Sequence, residues 1–423
     1  MTHTVLTFIT KVQPDQVGPL TKLLDQIGLD PEQNTYVPFR SLKLLHFASF
    51  VLHQSPETPE YGPYLVFENN FDDELNGYLE DLCAHASAGL HQIYSCCLDY
   101  TIKSASDSQG IINYLSAHVV RPNAYHIGNT GRSAARIQQE QALRDVLEAH
   151  ADTLVEGGQP SSLDALLTSF QQFVRADPQW SWMPGVGPRQ AFMERFVAWF
   201  KLILVALLVL ALSPIWLLPA IIWLLVLRYK ESTDSVQADL ADSENVQKLM
   251  DKENRTHSVQ NHMASITVVK RGWLRRATLQ FVLWAVNLLA RARATHGELS
   301  GIPSIHFAHW SMIDNGRRLL FLSNFDGSWE NYLDDFIDKA SIGLTGVWSN
   351  TLNFPRTYFL VFGGASDGPR FKAVARDSQT VTNAWYSAYW DQTVQGIDNN
   401  SSIREDLLKP LNTIEAAALL QRL

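Results

Sequence analysis

Cysteine is scarce in this chain of 423 residues: Cys83, Cys96 and Cys97 are the only three, and all fall in its first quarter. An odd number so placed excludes a disulfide framework as the main source of stability and favours a reducing compartment. Positive charge is also in short supply, with 34 lysines and arginines against 43 acidic residues and a formal charge of −9. No strong basic run occurs away from the apolar flanks, so nucleic acid is set aside as a partner. The chain has no Walker-type loop, no glycine-rich dinucleotide turn after a strand, no Gly-x-Ser-x-Gly elbow and no His-Glu-x-x-His. The well-marked enzyme classes that depend on those motifs are unsupported. The first ten residues lack a basic start, an apolar core and a small-residue cleavage site. They read as a strand rather than a signal peptide, and the chain is expected to begin in the cytosol.

What is present is a duplication. Asn70 to Tyr100 aligns without a gap on Asn324 to Phe354, with twelve of 31 positions identical. Upstream, His46-Phe-Ala-Ser-Phe matches His306-Phe-Ala-His-Trp; downstream, Asn123-Ala-Tyr matches Asn383-Ala-Trp, and the frame runs on to Arg144 opposite Arg404. The expected division is a first repeat over 1–150, a linker over 151–193, a membrane segment over 194–230, a polar linker over 231–261 and a second repeat over 262–423. The acidic linker, Glu231 to Asn261, reads as a solvated spacer.

Leu202 to Leu227 is 26 residues without a charge, about 39 Å as a helix at ~1.5 Å per residue, against a hydrocarbon core of ~30 Å. Its composition suits lipid. Trp180, Trp182 and Trp199 precede it as interfacial aromatics would, and Pro214 and Pro219 break it near its middle. Basic residues flank both ends, Arg189, Arg195 and Lys201 before it and Arg228 and Lys230 after it, so the charge asymmetry of a simple span is missing. Two copies of one module also could not meet if a span separated them. A re-entrant hairpin is therefore expected, with a single tilted span as the alternative and the globular parts on the cytoplasmic side of a cell membrane. Ala277 to Ala290, bracketed by Arg275, Arg276, Arg291 and Arg293, reads as an interfacial helix, or as one packed against the partner copy.

Periodicity gives each copy the order β-α-β-β-α-β. In the first copy the elements are Thr4–Val12, Asp15–Ile27, Leu42–Leu52, Gly62–Glu68, Asp72–Ala86 and Leu90–Ile102. In the second they are Ala264–Val269, Leu274–Ala292, Ser304–Ile313, Arg318–Ser323, Ser328–Lys339 and Thr345–Leu352. Both copies add a polar helix ending near Leu147 or Leu408. This is the ferredoxin-like unit, an α+β fold whose open sheet face needs a partner. On that order and the tandem duplication, the chain resembles the dimeric α/β-barrel superfamily, which includes dye-decolourising peroxidases and chlorite dismutase-like haem proteins. The resemblance implies two repeats closed into one pseudo-dimeric barrel, with a cavity for haem or a hydrophobic small molecule. Of the peroxidases' distal Gly-x-x-Asp-Gly, the segment Asn324-Phe325-Asp326-Gly327 shares only the Asp-Gly, and the first copy has Asp72-Asp73 there.

Strand alternation places His46 with Ala48 and Phe50, and His306 with Ala308 and Trp310. One of the two histidines would be an axial haem ligand or general base; alternatively both are hydrogen-bonded core residues, which their symmetry favours. His309, whose counterpart is Ser49, is asymmetric and is expected on the opposite face to His306. Beside Phe307, Trp310 and Met312 it would suit haem, which needs an imidazole in an apolar pocket. Asp72 and Asp326 are placed to cap the helices that follow them, with acid/base catalysis at Asp326 as the functional reading. Cys83, His85, His91, Cys96 and Cys97 match no zinc spacing. Arg144 and Arg404 would form helix-surface ion pairs, or at Arg404 hold a haem propionate. Two functions follow: a membrane-attached oxidoreductase of haem-peroxidase type acting on a small or lipid-derived molecule, or a non-catalytic membrane-attached module that binds an apolar ligand or partner protein.

Overall fold

The computed structural model describes residues 3–54, 59–157, 162–185, 189–236, 244–255, 259–293, 299, 301–411 and 413–423. The first half runs β1 (His3–Lys11), α1 (Val17–Leu29), β2 (Leu45–His53), β3 (Tyr64–Asp72), α2 (Leu75–Tyr94), α3 (Ser108–Ala117), β4 (Val119–Val120), β5 (Ala124–Ile127) and α4 (Ala134–Glu156). Four helices follow: α5 (Leu163–Ala176), α6 (Arg189–Ala211), α7 (Ser213–Thr233) and α8 (Glu244–Arg255). The second half runs β6 (Gln260–Val268), α9 (Trp273–Arg293), β7 (Ile305–Ile313), β8 (Arg318–Asp326), α10 (Trp329–Trp348) and the two-residue pair β9 (Thr357–Tyr358) and β10 (Phe362–Gly363). It ends with α11 (Gly368–Asp377), β11 (Ala384–Ser387), α12 (Val394–Leu407) and α13 (Thr413–Leu420).

The fold is mixed α+β, built on two open antiparallel sheets of order β11-β2-β3-β1-β4 and β5-β7-β8-β6. A single closed barrel, expected from the duplication, is not formed. The halves are joined by an exchange of strands: β11 of the second half pairs with β2, and β5 of the first pairs with β7. The repeated asparagines explain how. Asn123 Oδ1 accepts the Met312 N–H at 2.7 Å and Asn383 Oδ1 accepts the Leu52 N–H at 2.9 Å, so each fastens an exchanged strand to the sheet that receives it.

Side chains alternate across each sheet. Leu65, Phe67 and Phe71 of β3 face a core shared with α1 and α2, and Leu319, Phe321 and Phe325 of β8 face the core beneath α9 and α10. The opposite faces meet: Val51 and Val66 of one sheet pack with Ala264, Ile266, Leu320 and Leu322 of the other. Leu90–Ile102 and Thr345–Leu352 are not strands; α2 and α10 run on to Tyr94 and Trp348. Short dense apolar runs satisfy both periods, and here the buried residues, Leu90, Ile93 and Tyr94 or Leu344, Val347 and Trp348, fall at the three- and four-residue spacing of one helix face.

The expected linkers carry structure. In 151–193, α5 packs with α4, α12 and α13 around Phe170, Trp180 and Met183. Trp180 is therefore buried and Trp182 lies 4.2 Å from the Arg136 guanidinium, neither serving as an interfacial anchor. In 231–261, the Glu253 carboxylate of α8 takes both arms of Arg376 at 2.6 and 2.9 Å, so this stretch is more than a solvated spacer. Residues 158–161, 186–188, 237–243 and 256–258 of these stretches lie outside the described residues, as do the side chains of Arg189, Arg195, Arg291 and Arg293.

The apolar segment divides at Leu212 (φ −91°, ψ 4°) rather than at its prolines. Pro214 sits in the first turn of α7, where a missing N–H costs nothing, and Pro219 is carried inside the helix. By length and composition alone, Ser213–Thr233 is the one helix among the described residues able to cross a membrane; the apolar part of α6 is the shorter Trp199–Ala211. Ile203, Leu207, Leu210, Ile215, Leu218, Ile222 and Leu225 are all exposed. Helix α6 packs along α9, and the Trp223 indole of α7 donates to Thr278 Oγ1 at 2.9 Å. On α9, Leu279 and Leu283 point inward while Phe281, Trp284 and Leu289 are exposed. Arg275 does not flank it as a surface charge: it is buried, 2.6 Å from Asp234.

Candidate functional site

Both repeated histidines sit on β-bulges, between Leu45 and Phe47 in β2 and between Ile305 and Phe307 in β7. The bulge adds a residue and breaks strict alternation. His46 and His306 consequently join Phe47 and Phe307 between the sheets, away from Ala48, Phe50, Ala308 and Trp310, which face the helices. His306 and His309, expected on opposite faces, share one.

Each repeated histidine meets its repeated aspartate: His46 Nε2 lies 3.0 Å from Asp72 Oδ1, and His306 Nε2 lies 2.7 Å from Asp326 Oδ1. The second aspartate oxygens cap helices, but not those that follow directly. Asp72 Oδ2 accepts the Ala134 N–H of α4 at 3.0 Å, and Asp326 Oδ2 the Val394 N–H of α12 at 2.8 Å. The Glu74 side chain makes no cap at α2, and Ser328 caps α10. Tyr389 lies between the pairs, its hydroxyl 2.8 Å from His46 Nδ1 and its ring 5.8 Å from that of His306. Burial pushes the His46 imidazole down against the raising influence of Asp72. For Asp72, burial pushes up, but hydrogen bonds from His3 and His46 outweigh it and leave the carboxyl low.

His3 brings a third group to the first pair, its Nδ1 3.0 Å from Asp72 Oδ1; Gln260 holds the equivalent place beside His306. His3, His46 and Asp72 are close enough to suggest a cation site. The tautomers argue otherwise. His3 Nε2 accepts the Gly131 N–H at 2.8 Å, which puts the ring proton on Nδ1, facing Asp72. An ion bound there would displace that proton to Nε2, against the Gly131 donor.

A second group, between the same sheets, belongs to one copy only. Glu68, fully buried in β3, accepts Ser49 Oγ–H at 3.0 Å and His262 Nε2–H at 2.9 Å on Oε2. Its Oε1 accepts the side-chain amides of Asn70 at 2.9 Å and Asn324 at 3.1 Å. His309 Nδ1 is 3.7 Å from the same carboxylate, and its Nε2 is 3.1 Å from Thr7 Oγ1. Burial alone would raise the Glu68 carboxyl, but the hydrogen bond and charge of His262, the charge of His309 and the Asn70 amide bring it down to about 2. Burial takes His309 down to about 4. From Glu68 the chain continues through His262 Nδ1 to Thr382 Oγ1, 2.8 Å away. There it reaches a cleft of about 260 Å³ lined by Lys252, His262, Thr382, Trp385, Tyr386 and Trp390.

The residues expected around haem do not converge. His306 and His309 lie between the sheets, Trp310 packs on Phe321 and Trp348 beneath the helices, and Arg404 lies in the helical layer. Arg404 is buried, with Nε 2.8 Å from Glu140 Oε1, and Arg136 reaches the same oxygen at 2.7 Å. It ties α12 to α4 and is no surface pair; Arg144 is the half-exposed one. Both histidines are fully buried among protein groups. Cys83, Cys96 and Cys97 are buried free thiols, and burial raises Cys83 to about 11 and Cys97 to about 12. The sequence reading missed Glu68, His262, His3 and Tyr389. Glu68 carried a signal: a carboxylate within the strand Tyr64–Asp72, opposite Leu322 in the other copy.

No protein-family model matches the chain, and neither a curated protein nor a solved structure does.

Proposed function

We propose that this chain is a membrane-attached, non-catalytic binding or scaffold module, made of two ferredoxin-like repeats that mate as in dimeric α/β barrels. The observation that carries the membrane reading is the unpartnered apolar surface of α6 and α7, with the exposed Phe281 and Trp284 of α9 beside it. A surface of that size on a soluble protein has no other ready counterpart than lipid or a partner. The repeated polar residues support a non-catalytic role. His46, His306, Asp72, Asp326, Asn123 and Asn383 are each consumed in joining strands, sheets or helices, which accounts for their survival in both copies. A small ligand would enter the cleft at His262, where the inter-sheet polar chain reaches a surface opening. Three unpaired thiols accord with the globular parts lying on the cytoplasmic side.

The experiment is flotation of the purified chain with phospholipid vesicles, followed by haemin titration of the floated protein. Co-flotation that resists high salt, with no stoichiometric Soret band, is the expected result. Protein left in the soluble fraction removes the membrane reading. A stoichiometric Soret band lost in His309→Ala or His306→Ala restores the haem-peroxidase reading.

A further inference from the structure

Between the end of the aligned block and the helix that follows it, the second copy is six residues longer than the first. Twelve residues separate Phe354 from Asp367, against six between their counterparts Tyr100 and Asp107, and the additional residues build the hairpin β9–β10. Its sequence is Tyr358-Phe-Leu-Val-Phe362, and Tyr358, Phe359, Val361 and Phe362 are all exposed. The corresponding loop of the first copy is polar, Lys103-Ser-Ala-Ser-Asp107.

Exposed aromatic residues on a tight turn would ordinarily fold back onto the protein. Here they are held outward. Phe359 and Leu360 both adopt left-handed backbone angles, φ 53° and 66°, which side-chain-bearing residues seldom take without outside support. The support comes from the end of the apolar segment. Glu231, on the last turns of α7 and buried, accepts the backbone N–H of Phe359 and of Leu360, each at 2.9 Å, and the Thr357 hydroxyl at 3.0 Å. One turn earlier, the Arg228 guanidinium lies 4.7 Å from the centre of the Tyr358 ring and 3.6 Å from Glu231. A carboxylate at the end of the candidate membrane helix thus clamps the tip of an apolar hairpin that only one copy possesses.

We propose that Tyr358–Phe362 is a lipid-inserting finger that dips into the headgroup and acyl boundary beside the end of α7, with Glu231 as its latch. The proposal rests on the membrane-attached reading and specifies a second contact with the same bilayer. The occupant is a lipid surface rather than a protein groove because the finger continues the exposed apolar surface of α7 through Glu231 and Arg228. Its aromatic composition and neighbouring guanidinium also match what interfaces hold.

The test uses the full chain carrying Val361→Cys, labelled with an environment-sensitive NBD probe, in phosphatidylcholine and phosphatidylglycerol vesicles with or without shallow doxyl-labelled lipid. The control places the label at Ser106→Cys, in the polar loop of the first copy. Expected is blue-shifted emission at Val361→Cys that doxyl lipid lowers by about twofold or more, with none at Ser106→Cys. Adding Glu231→Gln, which turns one of the two acceptor oxygens into a donor facing a backbone N–H, should remove most of that quenching while the protein still floats. Floated protein whose Val361 probe stays water-exposed overturns the finger and leaves membrane attachment standing. Equal quenching at Ser106 overturns it too, and unchanged quenching in Glu231→Gln overturns the latch. Failure to float overturns attachment and finger together.

Discussion

At the scale of single residues, Glu68 is the most exacting position in the molecule. Its carboxylate is the shared acceptor for His262, Ser49, Asn70 and Asn324, and those donors come from both sheets. Leu322 at the equivalent place shows that the strand itself accepts leucine. Glu68→Leu should nonetheless destabilise the protein by about 3–5 kcal/mol, because four buried donors lose their acceptor at once; Glu68→Gln should cost less. Urea unfolding in detergent measures both, and a Glu68→Leu protein of wild-type stability would show the cluster to be incidental. Acidity probes the same groups. His309 and His53 are both held near 4 by burial. Each takes up a proton on unfolding below about 6.5 but not in the folded state, so stability falls as pH drops from about 6.5 towards 4. Each contributes up to about 1.4 kcal/mol per pH unit. The depressed Glu68 carboxyl acts lower, its contribution being lost as pH falls from about 4.5 towards 2. His309→Ser, which copies Ser49, should flatten the upper slope by about one proton's worth, and an unchanged slope would assign the dependence elsewhere.

At the scale of elements, nine-residue strands such as β1, β2 and β7 were legible because alternation is a backbone property. The bulges were not. An extra residue leaves no mark in composition, yet it moves His46 and His306 to the face opposite the one alternation assigns. The ends of α2 and α10 misled for a related reason: α10 is buried at every position from Leu344 to Trp348, and at the end of α2 the single exposed Gln92 between Leu90 and Ile93 is too short a polar stripe to reveal the helical period. The repeated asparagines were visible as a motif, but their purpose lies in a strand exchange that one copy alone cannot disclose. That purpose sets an expectation. Asn383→Ala removes the acceptor for Leu52 N–H and the Nδ2 donor to Asp25 Oδ1 at 3.0 Å. It should cost about 1–3 kcal/mol and accelerate amide exchange first along β11 and the facing stretch of β2. Exchange that rises uniformly across both sheets would mean that the asparagine does not fasten the strand.

At the scale of the whole molecule, the exchange decides what an independent unit is. The duplication suggests two units with a segment between them, but nothing in it reveals that neither half completes its own sheet. Without β11 the first half would present β2 as a bare edge, and without β5 the second would present β7 likewise; such edges invite pairing with other chains. Separate expression of residues 1–236 and 244–423 should therefore give aggregated or poorly folded halves, although each carries most of a hydrophobic core. Co-expression should return a one-to-one complex, because β5–β7, β11–β2 and the Arg404–Glu140 tie all remain available between the pieces. Either half folding alone to a stable monomer with native amide protection would show that the shared strands are ornamental. Recovery only on co-expression would place the inter-sheet interface, with its buried Glu68 and paired histidines, at the centre of the fold and set the α6–α7 surface apart as the part facing outward to its partner.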